Sequence, residues 1–101
     1  MPVTSQKSSD GNTITIKTES KFDYSSHTEF RACYSDSNNS ATHYVIDMRN
    51  TDYMDSSALG MLLLLREHVG DDRSKVTITN CNEEIKNILE ISNFNKLFEI
   101  Q

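Results

Sequence analysis

Asp55, Ser56 and Ser57 stand together immediately before the one strongly apolar run of the chain, Ala58 to Leu65. An acid and two adjacent hydroxyls at such a boundary could cap a helix, act as a nucleophile or accept a phosphoryl group. Apolar on all faces, the run reads as a helix buried in a domain core, with Gly60 permitting close packing. Serine is a favoured N-cap, so this helix is expected to start at Ser56 or Ser57. The hydroxyls would then lie at the surface, at the positive end of the helix dipole, where a phosphate can be held.

Nucleophilic catalysis needs more than a serine. It needs an adjacent base and an oxyanion hole. His27, His43 and His68 are isolated in the sequence, and no Gly-x-Ser-x-Gly elbow is present. With only three glycines, the chain has no Gly-rich phosphate cradle, so ATP binding is not expected. Cys33 and Cys81 lie far apart and form no metal spacing, which leaves packing or a half-exposed thiol. The sequence therefore predicts a protein that is not an enzyme, with no catalytic residue, no metal and no cofactor.

The 101 residues bound a single domain, residues 1–101. The net charge of −5, with ten Lys and Arg scattered along the chain, disfavours nucleic acid and anionic membrane as partners. No apolar leader is visible near Met1, and the longest apolar run is too short to span a bilayer. A reduced, cytoplasmic setting is the expectation.

The elements that must position Ser56 can be read from periodicity. Thr13 to Lys17 alternates as a half-buried strand after the turn signal Asp10-Gly11-Asn12, and Val3 to Lys7 is its hairpin partner. Ser25 to Asp36 carries the stripe Phe30, Cys33 and Tyr34 and reads as a helix capped by Ser25 or Ser26. Residues 35–40 form a polar loop. His43 to Met48 suits a central strand covered on both faces. The apolar helix runs to about Val69, where Gly70 stops it. Lys75 to Thr79 is a strand, a helix opens at Asn82 with the stripe Ile85, Ile88 and Leu89, and Leu97 to Ile100 is a last strand. The order β-β-α-β-α-β-α-β implies an α/β fold, a mixed sheet packed by helices.

The segment from Asp47 through Tyr53-Met54-Asp55-Ser56-Ser57-Ala58-Leu59-Gly60 resembles the STAS domain family. Within it, the chain is similar to the stand-alone bacterial anti-sigma factor antagonists. The resemblance implies that Ser56 is the phosphorylated residue, flanked by Asp55 and Ser57. It also implies an acid in the loop after the second strand, in a Gly-x-Leu/Phe-Asp pattern. Here that pattern reads Ser20-Lys21-Phe22-Asp23, so Asp23 matches and the glycine does not. If relatives use a positive φ at that glycine, Ser20 must avoid or tolerate the strain. The family's final helix is expected to be short or missing.

The implied function is partner switching. Unphosphorylated, the domain would bind an anti-sigma factor with a serine-kinase domain through Asp23, Asp55, Ser56 and Ser57, and release a client. A serine phosphatase would restore that state. The alternative is a non-catalytic STAS adaptor docked on the ATPase of a transport complex, which needs no cycling serine.

Overall fold

The computed structural model describes residues 3–35 and 42–101. Its N-terminal hairpin is set by local chemistry. The Asp10 carboxylate accepts the Ser8 hydroxyl at 2.6 Å and the Asn12 N–H at 2.9 Å, and Gly11 supplies the positive φ of the turn. This joins β1 (Thr4–Lys7) antiparallel to β2 (Thr13–Lys17). The chain continues through β3 (Lys21–Phe22), α1 (His27–Ala32), β4 (His43–Asp47) and β5 (Tyr53–Met54). It then forms α2 (Ser56–His68), β6 (Val76–Thr79), α3 (Glu83–Ile91) and β7 (Glu99–Ile100). One sheet has the order β1-β2-β4-β6-β7, and every pairing in it after the hairpin is parallel. The expected succession of strands and helices is therefore present, with β3 and β5 added as a separate parallel pair.

Register stacks one apolar face. Ile16 pairs with Ile46, Ile46 with Ile78, and Ile78 with Ile100. This face joins Phe30 of α1, Ala58, Met61, Leu62 and Leu65 of α2, and Ile85 and Leu89 of α3 in one buried cluster. On β4 only Tyr44 and Ile46 are buried, and His43, Val45 and Asp47 are half-buried. The central position of that strand agrees with the sequence, but its complete cover on both faces does not. The opposite face is lined by the Thr15–Val45–Thr77–Glu99 row, in which Thr77 is buried and the other three are half-buried.

Two helices also depart from expectation. Leu63 and Leu64 of α2 are 42% and 47% exposed, and Gly60 is exposed too. Five consecutive apolar residues circle the helix, whereas the core meets only one side of it. The first helix is shorter than expected and includes only Phe30 of its apolar stripe, because Tyr24–Ser26 form a 3-10 turn and Cys33 and Tyr34 follow in a turn. Asp23 caps that 3-10 turn, and Ser26 makes no capping bond. The expected helix end at Asp36 and most of the polar loop 35–40 lie outside the described residues. At the far end of α2, Gly70 takes φ +78° as the stop signal required. Both cysteines are free and half-buried, and burial pushes their thiols above the usual range. Among the described residues, no helix is long and apolar enough to cross a membrane.

A buried polar latch ties the segment after β2 to the segment after β4. The Thr51 hydroxyl donates to the Glu19 carbonyl at 2.7 Å, so the Thr18 hydroxyl must donate to Thr51. Ser20 O accepts the N–H groups of both Asp52 and Tyr53, at 3.0 and 3.1 Å. The Ser26 hydroxyl reaches the Glu19 carboxylate at 2.6 Å, and the Asn82 side chain reaches Thr51 O. Thr51→Val keeps the volume but leaves the Glu19 carbonyl without that hydroxyl. We expect a loss of about 1–3 kcal/mol with a cooperative transition retained, measured by urea unfolding.

Candidate functional site

The pairing of β3 with β5 carries the site. Lys21 lies opposite Tyr53 and Phe22 opposite Met54, so Asp23 and Asp55 leave adjacent strand ends side by side. Both are extended, and both cap the helical turn that follows. Asp23 Oδ1 accepts the N–H and the hydroxyl of Ser25. Asp55 Oδ1 accepts the Ser57 N–H at 3.0 Å, the Ser57 hydroxyl at 2.6 Å and the Ala58 N–H at 3.2 Å. The Ser57 hydroxyl, helped by these backbone donors, holds the Asp55 carboxyl below the usual carboxylate range.

The cap is thus Asp55, not Ser56 or Ser57. A carboxylate is the stronger acceptor, and its charge suits the positive end of the helix. Ser57 braces the cap. Ser56 is the first residue of α2, is exposed, and makes no side-chain hydrogen bond among the described residues. The same Asp-x-Ser arrangement recurs at Asp72 and Ser74, before β6. The arrangement alone is therefore structural. Ser56 is set apart because it occupies the middle position, held by Tyr24 and Arg73 in the other two copies, and because its copy lies beside that of Asp23.

Asp55 also changes the reading of the helix terminus as an anion site. Its carboxylate already occupies the Ser57 and Ala58 N–H groups. A phosphate on Ser56 would stand next to that carboxylate and project outward rather than settle into vacant donors. Ser20, in place of the family glycine, is not among the positive-φ residues and bears no such strain. Around the site stand two exposed aromatics, Tyr53 of the motif at 48% and Tyr24, which the sequence did not single out, at 69%. Tyr24 stacks on His27 with ring centroids 5.0 Å apart.

The other histidines are placed elsewhere. His43 Nε2 lies 2.9 Å from the Thr77 hydroxyl, and His68 packs against Tyr34 and Tyr44. Among the described residues no hydrogen bond joins a histidine to Ser56 or Ser57, and no group of three His, Cys, Asp or Glu is placed to hold a metal.

Ser56→Ala should change stability by no more than about 0.5 kcal/mol, because an exposed, unbonded hydroxyl is removed. Ser57→Ala should lower the melting temperature more, because the brace on Asp55 is lost. Since the folded carboxyl of Asp55 is more acidic than the unfolded one, its stabilisation is present above the ordinary Asp range and lost as pH falls through the lowered value. Thermal melts of wild type and Asp55→Asn from about pH 7 down to about pH 2 should converge toward the acid end.

A family model described as the STAS domain matches residues 5–101. A STAS-domain containing protein of Pseudomonas aeruginosa strain UCBPP-PA14 is 45% identical over 100 residues, covering 99% of each chain. The fold is similar to that of the anti-sigma factor antagonist SpoIIAA in its unphosphorylated form, with a TM-score of 0.74 at 15% identity, over 98% of this chain and 86% of that one. The phosphorylated form of the Bacillus cell fate determinant SpoIIAA gives 0.73 at 15% identity, over 98% and 90%. An anti-sigma factor antagonist from Mycobacterium paratuberculosis gives 0.75 at 15% identity, over 97% and 84%. These structures match in fold. The family model and the Pseudomonas relative go further, each following the sequence almost from end to end, and the chain belongs to the STAS domain family.

Proposed function

We propose that the protein is a cytoplasmic partner-switching antagonist controlled by phosphorylation of Ser56, and that it performs no catalysis itself. One observation carries this reading: the exposed Ser56 hydroxyl is free of capping duty, yet it directly follows the Asp55 cap, on the strand end next to that of the Asp23 cap. In the unphosphorylated state Asp23, Asp55, Ser56 and Ser57 form the face that binds an anti-sigma factor with serine-kinase activity, releasing that factor's client. A serine phosphatase resets the switch.

The phosphate adds a charge of roughly −1.5 to −2. It arrives beside Asp55 on a chain of net charge −5. At a closed interface it would bury like charges against one another, which opposes binding by several kcal/mol. Refolding is not needed, because Ser56 lies outside the core and its helix is capped by another residue. SpoIIAA, which has been solved in both phosphorylation states, has nearly the same likeness to this chain in each.

Incubation with ATP and the cognate kinase should place phosphate at Ser56, located by mass spectrometry; modification mainly at Ser57 would contradict the assignment. Ser56→Ala should retain partner binding, and Ser56→Asp should weaken it, with both variants folded as judged by thermal melts. Equal affinities in calorimetry would refute the switch and favour a docked adaptor. Asp23→Asn should slow Ser56 phosphorylation while changing stability by no more than about 0.5 kcal/mol.

A further inference from the structure

The two aspartate caps of the site are anchored unequally. Asp55 opens a helix of 13 residues that buries Ala58, Met61, Leu62 and Leu65. Asp23 opens a 3-10 turn of three residues, Tyr24–Ser26, and the six-residue α1 behind it buries only Phe30. The strand that delivers Asp23 has two residues, too few to hold a position alone. Ser26 supplies a further anchor. Its N–H donates to Asp23 O at 3.0 Å and closes the turn, and its fully buried hydroxyl donates to the Glu19 carboxylate at 2.6 Å. Ser26 stands at the N-cap of α1, where a serine hydroxyl ordinarily bonds the helix and contributes about 1 kcal/mol. Here the hydroxyl is directed away from its own helix. Glu19 in turn accepts the Thr51 hydroxyl on its carbonyl at 2.7 Å, and Thr51 leads to Asp55 through β5. One residue thus joins the two branches: the Glu19 backbone holds the Asp55 side and its side chain holds the Asp23 side.

We propose that Glu19 and Ser26 are a positioning pair for phosphoryl transfer to Ser56: their hydrogen bond sets Asp23 beside Asp55, and Ser26 acts on the reaction only through Asp23. The role rests on the switching reading of this site. In the transfer, Ser56 Oγ takes the γ-phosphoryl group of ATP, ADP leaves, and the hydroxyl proton passes to a base on the kinase. The kinase meets Asp23 and Ser56 together, so a shift of the Asp23 turn by about 1 Å is enough to slow the step about ten- to a hundred-fold. Ser26 is fully buried, so a change there reaches the reaction through the turn that it holds.

Phosphoryl transfer is read with labelled ATP and the kinase enriched from the source cell by its activity on Ser56 of the full wild-type chain. Ser26→Ala should remain folded, checked by circular dichroism and thermal melts, and lower kcat/KM for Ser56 about ten-fold or more. Glu19→Gln keeps an oxygen that accepts the Ser26 hydroxyl and should stay near wild type. Because Ser26 acts through Asp23, adding Ser26→Ala to Asp23→Asn should lower the rate no further than Asp23→Asn alone. Independently of the kinase, amide exchange at positions 25 and 26 should quicken in Ser26→Ala while that of Ser57 and Ala58 stays as in wild type. An unchanged rate in folded Ser26→Ala, additive losses in the double variant, or a Glu19→Gln rate as low as that of Ser26→Ala would each overturn the pair. Quickened exchange with an unchanged rate leaves the switching reading intact and removes only the pair. If no fraction of the cell phosphorylates the wild-type chain at Ser56, the switching reading falls and the pair falls with it.

Discussion

The carbonyl oxygen of Ser20 accepts two successive backbone N–H groups, those of Asp52 and Tyr53, and the geometry of the site depends on this contact. Strands of two residues each have too few ladder bonds to hold a register alone. β3 and β5 hold theirs because Ser20 fixes their starting point and because Thr18, Thr51 and Glu19 close a buried hydrogen-bond chain behind them. A buried hydroxyl without a partner is costly, so this chain has one satisfied arrangement. Once it forms, Asp23 and Asp55 are delivered to neighbouring positions, and each begins the next helical turn.

From that point local chemistry takes over. Each aspartate binds the N–H and hydroxyl of the serine two residues on, and the intervening residue takes no part in the cap. The third copy at Asp72 shows that the device is a general way to start a turn. What makes the Asp55 copy special is its context: a long helix behind it, a second capped turn beside it, and exposed Tyr24 and Tyr53 around it. The apolar helix is likewise divided between two tasks. Ala58, Met61, Leu62 and Leu65 hold the core, whereas Gly60, Leu63 and Leu64 face outward.

The order of the main elements was legible because alternating and helical hydrophobic patterns report burial directly. Thr13 to Lys17, Val76 to Thr79 and the Ile85–Leu89 stripe each carry such a pattern. Ser56 stood out because a long motif surrounds it. Asp23 could be matched by its Phe-Asp pair, but its nearness to Asp55 follows from strand register, which two residues cannot signal. The latch was not legible for the same reason: Thr18 and Thr51 are 33 positions apart and resemble any surface threonines. The helix cap was misplaced because serine and aspartate both suit an N-cap, and only the conformation of Asp55 decides between them. The exposed leucines were misjudged because an unbroken apolar run does not reveal which side meets the core.

The division of labour between Asp55 and Ser56 has a consequence for the protein's lifetime in the cell. Proteolytic turnover follows the population of the unfolded chain, which responds steeply to small changes in stability. A residue that both capped the helix and carried the phosphate would tie the abundance of the protein to its signalling state, since each modification would alter the unfolded fraction. With the cap on Asp55, a phosphate on Ser56, as proposed, would leave the hydrogen bonds that start the helix in place. Under the proposed switch, the total pool would then vary less than its active fraction, and output would follow the ratio of the two forms rather than the survival of either.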